Sequence, residues 1–340
     1  HTSNTFASRV YFSLALLAVL FILATNLSAQ NPRLELGRRL KRFEISWDTA
    51  SPTLRVSSVP FLQKAVKRFF SLSLFEAGRE MDRAWLELDP DKKSDALTNA
   101  LIGTQLFVSP ICADTENDSL VIELGSFYDT KSEPPPQTNV KLKLTAKNGQ
   151  LRAKKQLSMD ELARGTSWKL NGLAEGDYIL TLTFVQSENT FTLPPVTISR
   201  INDLRRRLME LEKSAAARKI AARASNASTM DQTLAATLRH EARFFRSVMK
   251  GLSQEADFPY LKRLKNCELL IAFRDSPKDL FSKHVDAREF WISLADGNRS
   301  VPTRIRLPTN LKTPVPVLFV LHGAGGSENM FFETYGAGRV

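Results

Sequence analysis

Apolar residues are spaced along this chain in several rhythms, and each rhythm predicts a different element. Residues 10–24 are almost continuously apolar. Over residues 60–88 the apolar positions recur every three or four places. Phe61, Ala65 and Phe69 form one stripe, and Ala77, Met81, Ala84, Trp85 and Leu88 form a second. That period marks helices with one buried face. Leu72-Ser73 predicts a bend between them, giving a helical hairpin that Asp89-Pro90-Asp91 ends. The alanines at crossing points give it a tetratricopeptide-like look, yet no second copy follows at a fixed period.

Over residues 106–200 the rhythm changes to alternation. Val140-Lys-Leu-Lys-Leu144 is the clearest case of a half-buried strand. Asn148-Gly149 predicts a tight hairpin turn with a return strand from Leu151. Further strands are expected at 121–124, 168–170, 178–185, 190–193 and 196–198, with a turn at Glu175-Gly176-Asp177. Several short strands with regular turns predict a β-sandwich of immunoglobulin-like type. Residues 201–274 return to helical spacing. Ile201, Leu204, Leu208 and Leu211 recur at heptad positions for about two heptads. A turn at 226–229 with Thr229 as N-cap leads to a helix carrying Leu234, Leu238 and Phe245, and Leu261, Leu264 and Ile271 belong to a third. Residues 290–294 and 301–307 alternate around Asp296-Gly297 and predict a second β-hairpin.

Charge and cysteine content narrow the function classes. The formal net charge is +11, enough to raise anionic partners. The basic residues are spread out, however, and many lie on the predicted helix holding Arg205-Arg206-Arg207, Arg218-Lys219 and Arg223. They read as a solvated helix face, and no nucleic-acid module accompanies them. The only cysteines are Cys112 and Cys267, which excludes a disulfide scaffold; two free, buried thiols are expected, with a single bridge in an oxidising compartment as the alternative. The histidines at 1, 240, 284 and 322 are not at metal-ligand spacing. No metal and no cofactor is expected.

Arg9, the apolar run of residues 10–24 and the small residues of Asn26-Leu-Ser-Ala29 have the order of a secretory signal cleaved after Ala29. An uncleaved anchor is the competing reading, and would be the only membrane contact. The protein is expected to be secreted or periplasmic. The four Asn-x-Ser sites, at Asn26, Asn117, Asn226 and Asn298, read as chance.

The last rhythm is the most specific. An apolar run, Val315-Pro-Val-Leu-Phe-Val-Leu321, leads straight into His322-Gly-Ala-Gly-Gly326. Such a run predicts a strand buried on both faces. The glycines allow a tight turn, and Ser327 with Glu328 can start a helix. Strand, glycine turn and helix start together form a pocket of backbone N–H groups suited to a negative oxygen. A Walker-type Gly-Lys-Ser/Thr is absent, so phosphate is the weaker reading.

This segment resembles the oxyanion-hole loop of secreted bacterial α/β-hydrolases of the esterase, polyhydroxyalkanoate-depolymerase and S9-peptidase-like groups. In that fold a hairpin like 290–307 precedes the third strand, which 317–321 matches. Asn329-Met-Phe-Phe332 matches the first turns of the next helix. The resemblance covers roughly the last 50 residues. It implies a serine hydrolase acting on an ester, or on a peptide, with the backbone N–H groups of Ala324 and Gly325 as oxyanion donors. No Gly-x-Ser-x-Gly elbow occurs in the sequence, and the family places its triad acid and histidine after the oxyanion loop. The nucleophile, acid and base are therefore expected from a longer gene product, with this chain alone inactive. His322 precedes the loop and is not read as the base. A secreted binding or scaffold protein with a vestigial hydrolase end is the alternative. The expected layout is a signal at 1–29, a helical hairpin region at 30–104, a β-sandwich at 105–200, a helical region at 201–282 and the start of an α/β-hydrolase domain at 283–340.

Overall fold

The computed structural model describes residues 32–115, 118–130, 132–134, 137–222, 227–252, 255, 258–272, 289–296, 299–307, 318–321 and 328–329. The chain is an α+β protein built on two hydrophobic cores. Five helices come first: α1 Pro32–Thr49, α2 Pro52–Phe70, α3 Leu74–Glu87, α4 Pro90–Ser94 and α5 Ala96–Leu101. Nine strands and a short helix follow: β1 Thr104–Ser109, β2 Cys112–Asp114, β3 Ser119–Ser126, β4 Asn139–Ala146, β5 Leu151–Ser158, α6 Met159–Ala163, β6 Thr166–Lys169, β7 Gly176–Gln186, β8 Asn189–Thr192 and β9 Val196–Ile201. Three longer helices, α7 Leu204–Ala221, α8 Thr229–Met249 and α9 Tyr260–Ala272, precede the hairpin β10 Glu289–Asp296 and β11 Arg299–Arg306.

The expected helical hairpin is present as α2 and α3, joined through Ser71, Leu72 and Ser73. Its first helix starts at Pro52 and not near Pro60. Ser51 accepts from the Leu54 amide and Pro52 sits at the first helical position, which together form a strong helix start. Pro60 lies inside the helix. Asp89-Pro90-Asp91 ends the pair as expected, since α3 stops at Glu87. Asp89 accepts from the Lys92 amide and begins α4. Helix α1 escaped the apolar pattern because its buried face includes Glu35, Arg38 and Arg39 beside Leu34, Leu36 and Phe43. Arg39 pairs with Glu35 at 3.0 Å and with Asp82 of α3. It also donates to the carbonyls of Ile102 and Thr104, at 2.9 and 2.7 Å. Arg42 and the Tyr128 hydroxyl reach the same Asp82, at 2.5 and 2.6 Å. These bonds fasten α1 to α3 and to the entry of β1.

Two sheets enclose the first core. One is antiparallel in the order β1-β3-β6; the other runs β2-β9-β7-β4-β5, with β8 also on β7. Strand β2 pairs parallel to β9, and the other pairs are antiparallel. Leu106, Val108, Leu120 and Ile122 of one sheet meet Val140, Leu142, Leu144, Leu180, Leu182 and Phe184 of the other. Asn148-Gly149 makes the β4–β5 turn, with Gly149 at φ 82°, a conformation that suits glycine. Phe43, Ala84, Trp85 and Leu97 belong to the same core, so it is continuous across residue 104. Gly176 and Asp177, expected in a turn, already belong to β7 and pair with Arg200 and Ser199 of β9. The short α6, which no apolar period announces, is set by a reciprocal Ser158–Glu161 capping box.

The second core gathers Cys112, Ile201, Leu204, Leu211, Leu238, Phe245, Phe258, Leu264, Cys267 and Trp291. It joins α7, α8, α9 and β10 to the end of the larger sheet. The N-cap of α8 is Ser228, one residue before the expected Thr229, and it forms a capping box with Asp231. Cys112 and Cys267 are free and buried. The hairpin β10–β11 pairs from Glu289↔Arg306 to Asp296↔Arg299. The strand expected at 317–321 is absent over 318–321, which carry no strand and leave Leu318, Phe319 and Leu321 over 80% exposed. A doubly buried strand needs pairing strands on both sides, and among the described residues none pairs with it. The apolar run at 10–24 lies outside the described residues. Among the described residues no helix is long and apolar enough to cross a membrane.

Candidate functional site

Among the described residues, the polar groups closest in sequence to the glycine loop are Glu328 and Asn329, and both are tied into the second core. The tie is built from α8 upward. Thr233, Thr237 and Glu241 are four residues apart, so they lie on one helix face, and all three are buried. A stripe of this kind is normally apolar; here it meets the open side of β10. The Thr237 hydroxyl accepts from the Ser293 amide at 2.8 Å and itself donates to the Thr233 carbonyl at 2.7 Å. The Thr233 hydroxyl accepts from the Ala295 amide at 3.4 Å. The threonines thus take two amides of β10 that β11 does not.

One turn further on, Glu241 meets Arg263 of α9. Arg263 Nε and Nη2 donate to Oε2 and Oε1 at 2.5 and 2.8 Å. Both side chains are 1% exposed. The guanidinium lies 3.8 Å from the Phe244 ring centroid, an added attraction in a desolvated place. Burial works against the charge of Arg263, but Glu241 and Glu328 outweigh it and hold its pKa above the ordinary arginine value. Arg263 Nη2 also donates to Glu328 at 3.0 Å. The Cys267 thiol lies 3.7 Å from Glu241. Burial first, and the Glu241 charge second, push its pKa well up, so it is no thiolate nucleophile.

Asn329 closes the cluster. Its carboxamide oxygen accepts from Trp291 Nε1 at 2.7 Å, and its nitrogen donates to Glu255 at 3.0 Å. Trp291 is held in turn by Asn266, whose amide donates to the Trp291 carbonyl at 3.0 Å. His240 stands at the rim, 3.9 Å from Glu328. Burial is the main cause that lowers its pKa, which favours the neutral imidazole.

Ala324 and Gly325, the expected oxyanion donors, and His322 lie outside the described residues. The structure does show what holds the chain immediately after them. The pattern of apolar residues gave no hint of Glu241, Arg263 or Asn329. The available signal was three polar residues at four-residue spacing on an otherwise apolar helix face. Among the described residues no three His, Cys, Asp or Glu side chains are grouped to hold a metal ion. Comparisons with protein-family models, curated proteins and solved structures gave no match.

Proposed function

We propose that this chain forms the opening part of a secreted serine hydrolase that cleaves an ester by acyl transfer, with a peptidase as the alternative within that class. In this reading the two-sheet layer is an immunoglobulin-like accessory module, and residues 283–340 begin an α/β-hydrolase domain. A serine from sequence outside these 340 residues attacks the ester carbonyl carbon while a histidine takes the serine proton. The carbonyl oxygen becomes an oxyanion that the N–H groups of Ala324 and Gly325 stabilise. Collapse expels the alcohol, which takes the proton from histidine, and water then releases the acid.

The observation that supports this reading is the anchoring of Glu328 and Asn329. Arg263, Trp291 and Glu255 hold these two side chains against α9 and β10. An oxyanion loop needs donors fixed before charge develops, and an anchor directly after the loop supplies such a constraint. The test is hydrolysis of a short acyl nitrophenyl ester by the longest product of the gene, beside the 340-residue chain. The long product is expected to turn over, and the 340-residue chain is not. Gly325→Pro removes one N–H and is expected to lower kcat by about 10²–10³, with the fold checked by circular dichroism. A folded variant as fast as the parent would overturn the reading.

The second reading, a secreted binding or scaffold protein, is favoured by one feature: a row of lysines on the larger sheet without acidic partners among the described residues.

A further inference from the structure

The larger sheet has two differently treated outer halves. At the β9 side, α9 packs on it: the Leu261 amide donates to Asp177 at 3.1 Å, and the Ser199 hydroxyl donates to the same carboxylate at 2.5 Å. Towards β4, β5 and β8 the outer face is open. There Lys141 and Lys143 of β4 point outward, as the burial alternation of the strand requires. Lys154 of β5 stands directly opposite Lys143. All three are exposed. None has an ion pair or hydrogen bond with a described residue. Like charges opposite each other weaken a sheet, so this arrangement costs stability.

Protection of an edge accounts for Lys154 of the edge strand β5 and not for the two lysines of β4. Lysines are common on edge strands, where they block pairing with another chain. Strand β4, however, lies between β7 and β5 and has no free edge. The neighbouring Lys155 turns the other way and donates to Thr166 and to the Ser167 carbonyl of β6, at 3.3 and 3.1 Å. The outward positions of β4, β5 and the 179–185 part of β7 hold no Asp or Glu. Around the lysines lie neutral hydrogen-bonding groups instead: Gln156 opposite Lys141 on β5, and Thr181 and Thr183 on β7 opposite Lys143 and Lys141. Thr183 also shares a 3.0 Å hydrogen bond with Thr192 of β8.

We propose that this open face binds a linear anionic polysaccharide, with Lys141, Lys143 and Lys154 on its acidic groups and Gln156, Thr181 and Thr183 on its sugar hydroxyls. Cations about 7 Å apart along β4 and about 5 Å apart across strands match a ligand that alternates charged and hydroxyl groups. Single-stranded nucleic acid calls for aromatic side chains to stack bases, and the outward positions have none. A duplex calls for a longer series of phosphate contacts than three lysines supply. A membrane surface calls for a broad apolar face beside the cations; here only Leu151, at the rim, is a large exposed apolar side chain. The inference stands independently of the hydrolase reading.

The experiment measures binding of the whole chain to polygalacturonate by calorimetry, beside single-stranded DNA and vesicles rich in anionic lipid. The triple variant Lys141→Gln, Lys143→Gln, Lys154→Gln is expected to bind polygalacturonate at least about tenfold more weakly, a loss of about 1.4 kcal/mol, with an unchanged unfolding midpoint. A charge-matched triple on α7, Arg205→Gln, Lys213→Gln, Lys219→Gln, removes exposed cations elsewhere and is expected to bind like the parent. No binding by the parent, no loss in the sheet variant, or an equal loss in the α7 variant would each overturn the proposal. Tighter binding of DNA or of vesicles than of polygalacturonate would overturn it as well.

Discussion

Arg263 grips both oxygens of Glu241, at 2.5 and 2.8 Å, in a place where each side chain is 1% exposed. A buried pair of this kind is far costlier to break than to replace. Glu241→Ala leaves the buried guanidinium with Glu328 as its remaining carboxylate partner and is expected to destabilise the fold by about 3 kcal/mol, the low end for breaking a buried pair. Replacing both partners, Glu241→Leu with Arg263→Met, removes the fully buried charges and leaves only the Glu328 carboxylate, at the rim of the cluster, without its arginine. That variant is expected to lose less than either single one. Urea unfolding followed by circular dichroism measures all of them. A double variant less stable than both singles would show that the pair itself, and not the fear of a lone charge, stabilises this core.

Gly78 is the contact point between α3 and the segment after β3. A Cβ added there would overlap the ring of Phe127 and come within 3.4 Å of Leu36. Phe127 is buried, and Arg39 lies 4.9 Å from its ring centroid, so the ring has little room to move. Alanine gains about 1 kcal/mol in helix propensity over glycine. Overpacking of a filled core costs about 1–3 kcal/mol. Gly78→Ala is therefore expected to lower stability by up to about 2 kcal/mol. A stabilised variant in thermal unfolding would mean that the ring shifts freely.

His240 gives the fold a dependence on mild acid. Burial lowers its folded pKa, Arg263 and Arg243 add to this, and Glu241 and Glu328 oppose it without prevailing. The unfolded pKa is about 6.5. A group lowered on folding contributes stability that is present above the unfolded value and is lost as pH falls towards the folded one. Stability is expected to decline as pH drops below about 6.5, and His240→Gln is expected to reduce that decline. The other three histidines remain in the variant, so the difference isolates this imidazole. Identical pH profiles for parent and variant would refute the assignment.

Much of the element plan is legible in the sequence, because alternation and helical spacing are written by residues with a single buried face. The strands β4 and β7, the Asn148-Gly149 turn, the α2–α3 pair and the hairpin β10–β11 all follow that rule. Where burial is achieved by charge, the rule fails. Helix α1 hides Glu35, Arg38 and Arg39, and α8 hides Thr233, Thr237 and Glu241. Their partners, Asp82, Ser293 and Arg263, are tens of residues away, and no local pattern announces them. The candidate site was legible only as the glycine loop; its anchors, Arg263 and Trp291, came from structure. The run at 318–321 shows the opposite limit. Apolar residues alone do not make a strand when no neighbour pairs with them.

The continuity of the first core across residue 104 has a consequence for synthesis. Trp85 and Ala84 of α3 are buried against strands that end with Ile198 of β9. Those strands leave the ribosome roughly a hundred residues after α3 does. At about 5–20 residues per second, the helices wait on the order of 5–20 s with their apolar stripes uncovered. The native place of the early helices exists only once β9 has arrived.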